Sequence, residues 1–217
     1  MGPEATVDFA ATVIAMTPAK SDQDHVHLII DNDPSIPPRQ DAILRAGADP
    51  GPAMAAMAKR LQEAGADFLV MPCNTAHVFS EAVTDAVNIP LLSIIDVTVA
   101  ACRAYDKVGL LTTEGCLKSS VYQQAAQALD IELVLPTTEE LVEFTDLVFR
   151  VKQGDKSEPV TSGMLRLIEA LQARGARAII AACTEIPLVI NKSMLKVPMV
   201  SSTDELARQT IAFARGV

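Results

Sequence analysis

The sequence predicts an α/β fold of two similar lobes with mostly parallel sheets. Three observations predict it: short aliphatic runs alternate with helical patterns, the two halves repeat one another, and no Gly/Ser linker or low-complexity stretch interrupts the 217 residues. Hydrophobic residues make up 49% and aromatics 4% of the chain, with no Trp, so a sizeable core must be built from aliphatic side chains. Such a composition excludes collagen, coiled coil and disordered tail. Twenty-seven acids against eighteen bases give a net charge of -9 without a dense Lys/Arg block, which argues against a nucleic-acid partner. A small anionic substrate is not excluded, because one local Arg or Lys suffices to bind it. No apolar run approaches the roughly 18 residues of a membrane helix. The opening MGPEATVDF is acidic where a signal or transit peptide would be basic, so a cytoplasmic protein with no membrane partner is expected.

Six runs read as short buried strands: HVHLIID (25–31), DFLVMP (67–72), KVGLLTT (107–113), IELVLP (131–136), RAIIAA (177–182) and VPMVS (197–201). The stretch GPAMAAMAKRLQEAG has helical spacing, with Met54, Met57, Ala58 and Leu61 on one face and Gly65 as its stop. SEPVTSGMLRLIEALQARG does the same. It opens at Ser157 with an early Pro159, buries Met164, Leu167, Ile168 and Leu171, and stops at Gly175.

The internal repeat is the most informative feature. LQEAGADFLVMPC (61–73) aligns without a gap on LQARGARAIIAAC (171–183), with Leu, Gln, Gly, Ala and Cys identical at an offset of 110. VNIPLLSIID (87–96) then matches LKVPMVSSTD (195–204) at an offset of 108, sharing Pro, Ser and Asp. The repeat divides the chain into a first lobe of residues 1–96 plus 203–217 and a second of 97–202. A pseudo-twofold between them would bring Cys73 and Cys183 face to face across a cleft, the expected active site. Each of these cysteines follows a strand, at the end where open α/β sheets place their ligands.

Of the four cysteines, at 73, 102, 116 and 183, none forms a CxxC pair or belongs to a finger-like Cys/His array. An unpaired Cys is most often a packing residue, and Cys102 after Ala100-Ala101 reads that way. Cys116, following Gly115 near a strand exit, is a candidate for the ligand's surroundings. The repeat sets Cys73 and Cys183 apart. Asn74-Thr75 and Thr184-Glu185 follow them as helix-start residues, whose free N–H groups suit an anion and whose dipole is expected to lower the thiol pKa. Two thiols on opposite sides of one carbon suit inversion of a stereocentre, one taking a proton and the other returning one. A nucleophilic hydrolase would instead require a His base and an orienting group, and His77 alone does not supply both.

PCNTAH (72–77) and ACTEIPL (182–188) resemble the paired cysteine motifs of the aspartate/glutamate racemase superfamily, the second being similar to aspartate racemases. The resemblance extends over essentially the whole chain, through MGPEAT (1–6), DQDHVHLIIDNDPSIPPR (22–39), AGADFLVMPCNTAH (64–77), VGLLTTEG (108–115) and VKQG (151–154). It implies that Cys73 and Cys183 are the acid/base pair, that Arg39 and Lys152 bind the distal carboxylate, and that Asn74, Thr75 and Thr184 hold the α-carboxylate. It further implies interconversion of L- and D-aspartate by a homodimer, with no pyridoxal phosphate, no other cofactor and no metal. Glutamate racemisation, isomerase or decarboxylase chemistry on a related dicarboxylate, and a silent carboxylate-binding protein are the alternatives.

Read without the resemblance, Arg39 after Pro37-Pro38 could present a bidentate fork or be a solvated surface residue, and Lys152 suits the negative end of a helix. Glu185 is open between a helix-start carboxylate and a substrate-side group. His25 and His27 share one face of a strand with no evident third metal ligand. The sequence departs from the family pattern at Ala182, where Gly is usual, and at Cys116, where a Thr hydroxyl is more common. Relatives also carry a strand and a Gly-Gly turn ahead of the MGPEAT segment. The repeat carries the same expectation, since VGLLTTEG should have a first-half counterpart ending at Met1-Gly2; a misplaced start is the simplest expected cause, with lower stability for the short chain.

Overall fold

The structure is a computed structural model that describes residues 2–216; Met1, on which one end of the expected strand counterpart falls, lies outside the described residues. The chain divides into two compact units, Met1–Ile94 with Thr203–Val217, and Ile95–Ser202.

In the first unit, α1 (Pro3–Met16) has Pro in its first turn and Glu4 at its positive end, and it buries Ala5, Phe9 and Val13 at a spacing of four. α2 (Arg39–Leu44) is short, and α3 (Gly51–Glu63) buries Met54, Met57 and Ala58 as its spacing predicts. β1 (Leu69–Val70), α4 (Ser80–Thr84) and β2 (Leu91–Leu92) follow. β1 and β2 are parallel, with Leu69 opposite Leu91 and Val70 opposite Leu92. Ile36, Met54, Met57, Ala58, Leu69 and Met71 belong to one apolar cluster.

The second unit holds α5 (Ile94–Ala100, from its second residue), β3 (Lys107–Thr112), α6 (Glu114–Lys118), α7 (Val121–Gln127), β4 (Glu132–Val134), α8 (Thr138–Lys152), α9 (Glu158–Ala173), β5 (Ala178–Ala182) and β6 (Met199–Ser201). Its sheet has the order β4-β3-β5-β6, parallel throughout. All five residues of β5 are buried, which explains an aliphatic run with no polar alternation. α8 starts with a capping box, in which Thr137 accepts from the Glu140 N–H at 3.3 Å and Glu140 accepts from the Thr137 N–H at 2.8 Å. α9 lays Met164, Leu167, Ile168 and Leu171 into the core beside Phe144 and Ile179. α10 (Ser202–Arg215) belongs from its second residue to the first unit, where its Phe213 packs on Phe68 with ring centroids 4.8 Å apart.

The repeat extends to individual hydrogen bonds. Gly65 and Gly175 take φ of 95° and 97°, a left-handed conformation that favours Gly. At these stops Ala66 N–H donates to Leu61 O at 3.0 Å and Ala176 N–H to Leu171 O at 3.2 Å. Leu69 N–H donates to Pro90 O at 2.8 Å, and its counterpart Ile179 to Pro198 O at 2.9 Å.

One expected strand does not form. Residues 26–33, most of the HVHLIID run included, belong to no ladder, because an aliphatic run becomes a strand only when a neighbour satisfies its N–H and C=O groups. Among the described residues no group of three metal-ligating side chains surrounds His25 and His27, and no helix is long and apolar enough to cross a membrane.

Candidate active site

In the second unit the candidate residues cluster past the carboxyl end of β5. Thr112 Oγ1, at the end of β3, donates to Ala182 O at 3.1 Å, and Ser202 Oγ, just past β6, donates to Ala181 O at 3.0 Å. Both carbonyls ahead of Cys183 are thereby held from neighbouring strands. Cys183 is buried, and its Sγ donates to Glu185 Oε2 at 2.9 Å. Thr184 Oγ1 donates to the same oxygen at 3.1 Å, while Lys152 Nζ lies 3.3 Å from Oε1. The Glu185 side chain is 7% exposed and that of Lys152 44%, so a buried carboxylate meets a cation at the rim.

This arrangement overturns the expected lowering of the Cys183 thiol pKa. Burial first, and the Glu185 carboxylate second, push the thiol well above its ordinary value, with Lys152 acting against them. The turn after Cys183, Ile186–Leu188, is a three-residue 3-10 segment and too short to set a helix dipole against that carboxylate. Cys183 therefore rests as a thiol, not a thiolate.

In the first unit Cys73 follows β1 and is half-buried. Asn74, buried, and Thr75, half-buried, open the 3-10 turn Thr75–Phe79. His77 is buried inside that turn. Its Nε2 accepts the Ile94 N–H at 3.2 Å, which requires the lone pair on that nitrogen, so the proton sits on Nδ1 and is donated to Cys73 O at 3.0 Å. Both ring nitrogens thus hold backbone, and His77 fixes the Cys73 loop instead of serving as a base. Arg39 stands at the start of α2, with Nη1 donating to Ile36 O at 3.1 Å and Pro37 O at 2.9 Å. It pairs with no carboxylate among the described residues.

Of the residues singled out from the sequence, Cys183, Thr184 and Lys152 are brought together around Glu185, and Cys73, Asn74 and Thr75 are consecutive in one loop. Arg39 lies elsewhere in the sequence of the first unit, at the start of α2. Cys102 is fully buried and donates to Thr98 O at 3.4 Å. Cys116 is also fully buried, near Tyr122, whose hydroxyl pKa burial raises well above the ordinary value. All four cysteines are free thiols. Sequence reasoning left the role of Glu185 open. Its spacing of two from Cys183, ahead of a Pro-containing turn, was the available signal for a contact with the thiol.

Each of the two repeats thus carries a free thiol just past the end of a strand. Residues 1–210 match the model of the Asp/Glu/hydantoin racemase family, and the chain belongs to that family. It is an amino-acid racemase of that family, and so an isomerase. The chain is similar to the broad specificity amino-acid racemase RacX of Bacillus subtilis, at 27% identity over 98% of this chain and 94% of the relative. Among solved structures it is similar to the Picrophilus torridus aspartate racemase, with a TM-score of 0.89 and 29% identity over 99% of this chain and 90% of that one. An aspartate racemase homologue from Pyrococcus horikoshii OT3 matches with a TM-score of 0.79 and 26% identity over 98% and 95% of the two chains.

Proposed function

We propose that the protein interconverts L- and D-aspartate without a cofactor, with Cys73 and Cys183 acting on opposite faces of the α-carbon. The hydrogen bond from Cys183 to Glu185 carries this reading. A buried thiol that donates to a carboxylate is kept protonated, the state needed by a residue that delivers a proton. In one direction the Cys73 thiolate takes the α-proton, and the electron pair of the broken C–H bond spreads into the adjacent carboxylate. The Cys183 S–H then protonates the opposite face. Product leaves with Cys73 as thiol and Cys183 as thiolate, and the reverse direction starts from that state.

Arg39 and Lys152 receive the distal carboxylate in this reading, and Asn74, Thr75 and Thr184 the α-carboxylate. A guanidinium without a carboxylate partner among the described residues, and a half-exposed ammonium near the second thiol, support those roles. The reading takes the protein to act as a homodimer in the cytoplasm, where reducing conditions keep both thiols unpaired. The full-length likeness to RacX favours a second reading, a racemase of broader amino-acid specificity.

Chiral chromatography of L- and D-aspartate incubated with the purified protein, beside glutamate and a panel of neutral amino acids, tests both. Racemisation of aspartate without added pyridoxal phosphate or metal is expected. Loss of racemisation by a factor of about 100 or more is expected in Cys73→Ala and in Cys183→Ala, since each removes an acid/base group. Full racemisation by Cys183→Ala would overturn the two-base reaction, and comparable rates on neutral amino acids would favour the broader reading.

A further inference from the structure

The backbone ahead of Cys183 is held by a network that extends through three fully buried hydroxyl side chains of the second unit, Ser202, Tyr122 and Thr98. Ser202 Oγ donates to Ala181 O at 3.0 Å, and the Tyr122 hydroxyl is hydrogen-bonded to the side chains of both Ser202 and Thr98. A serine has one proton to donate. Because Ser202 gives its proton to Ala181 O, Tyr122 must donate to Ser202, and Thr98 to Tyr122. Burial raises the Tyr122 pKa well above the ordinary value, so the phenol keeps its proton throughout the neutral range. α5, α7 and the start of α10 thus contribute one hydroxyl each, and the three O–H groups run head to tail toward the end of β5, an order in which each bond polarises the next.

That order bears on the sulfur through the backbone. A peptide group is planar, so the Ala182 carbonyl fixes the Cα of Cys183, which shares its plane, and the Ala181 carbonyl fixes the plane before it. Thr112 pins the first carbonyl and Ser202 the second. Thr98, Thr112, Tyr122 and Ser202 are all fully buried, so no water stands ready to replace a lost partner. The first repeat is built differently. At the offsets of 110 and 108 the counterparts of Ala181 and Ser202 are Met71 and Ile94, and Ile94 has no hydroxyl. There His77 Nδ1 holds the Cys73 carbonyl instead. The two thiols are positioned by different devices, and damage to one device should be felt on one face of the substrate.

We propose that Tyr122 is a positioning residue for Cys183, acting through Ser202 to fix the end of β5 that carries the thiol. The inference rests on the two-base reading, in which Cys183 exchanges a proton with one face of the α-carbon. The phenol proton occupies the acceptor side of Ser202 Oγ and leaves the Ser202 O–H directed at Ala181 O. Tyr122 therefore acts on the reaction through the backbone, by setting where the sulfur stands.

Tyr122→Phe removes the hydroxyl and keeps the ring. Racemisation of aspartate should slow about tenfold, with kcat reduced more than KM rises, because the sulfur is misaligned while the carboxylate contacts persist. Isotope effects on kcat/KM with α-deuterated L- and D-aspartate separate positioning from a loss of folded protein, which leaves both effects at their wild-type values. Slower transfer at Cys183 should enlarge the effect for the enantiomer whose α-proton Cys183 removes. For the other enantiomer, removal by Cys73 becomes reversible ahead of the slow step, and the effect should shrink. Ser202→Ala should give the same asymmetry, and the double variant should fall within about twofold of Ser202→Ala alone, since both changes cut one path. Losses that multiply in the double variant, or wild-type isotope effects in Tyr122→Phe, would overturn the proposal. Amide exchange supplies a readout independent of turnover, and residues 181–183 should exchange about tenfold faster in Tyr122→Phe. A wild-type protein that does not racemise aspartate would sink the parent reading alone, whereas unchanged exchange at residues 181–183 would overturn the role of Tyr122 whatever the turnover.

Discussion

Cys183 and Glu185 form a thiol-to-carboxylate hydrogen bond of 2.9 Å in which both side chains are buried. The carboxylate also takes the Thr184 hydroxyl and faces the Lys152 ammonium, so three neighbours are directed at its two oxygens. A negative charge beside a buried sulfur disfavours a second negative charge, and the thiol keeps its proton.

Glu185→Gln should therefore lower the pH at which Cys183 ionises, as read by the thiolate absorbance near 240 nm in a variant whose other cysteines are Ala or Ser. A thiol held above its unfolded value favours the neutral form in the fold. Its contribution to stability is intact below the unfolded thiol pKa of about 8.5 and is lost as pH rises through the folded value. Chemical denaturation from pH 7 to 10 should show a fall in stability above about pH 8.5 that is smaller in Glu185→Gln. An unchanged ionisation midpoint would show that the carboxylate does not act on the sulfur.

The same contact predicts unequal thiol reactivity. Cys73 is half-buried, whereas Cys183 is buried and protonated, and Cys102 and Cys116 are fully buried. Mass spectrometry after limited iodoacetamide treatment at pH 7.5 should find Cys73 modified first, by a factor of about ten or more over Cys183. Preferential modification of Cys102 or Cys116 would contradict their burial.

His77 should behave as a positioning residue. His77→Ala leaves the Ile94 N–H and the Cys73 carbonyl without their partner, a loss of about 1–3 kcal/mol of stability. Racemisation should also fall, with kcat reduced more than KM rises, because the Cys73 loop loses its fixed position. A variant with unaltered turnover would separate the His77 clamp from catalysis.

Gly109→Ala and Gly163→Ala should differ in cost. A Cβ at Gly109 meets Leu171 Cβ at 3.1 Å and Ala176 Cβ at 3.2 Å, atoms tied to the backbone. At Gly163 the contacts are the mobile ends of Leu147, at 2.9 Å and 3.1 Å. Overpacking should cost about 1–3 kcal/mol at Gly109, and less at Gly163, where Ala also favours the helix by roughly 1 kcal/mol over Gly. Equal melting temperatures for the two variants would refute the distinction.

Much of the architecture was legible in the chain because buried parallel strands must be aliphatic throughout and helix stops favour Gly. Those local demands made the repeat visible at Leu61/Leu171, Gly65/Gly175 and Cys73/Cys183, and α3 and α9 bury the residues their spacing selected. Local pattern was insufficient at HVHLIID, whose side chains suit a strand but whose backbone finds no ladder among the described residues. Pairing is a property of two segments, and one segment's composition cannot supply it. The meeting of Lys152 with Glu185, 33 positions later, was likewise decided by the packing of α8 and the turn after β5, as was the engagement of both His77 nitrogens by backbone from separate segments. Sequence determined which residues are chemically able to act. Tertiary structure decided that Cys183 rests protonated, because burial and a neighbouring charge are set by what the fold places around a sulfur and not by the residues beside it in the chain.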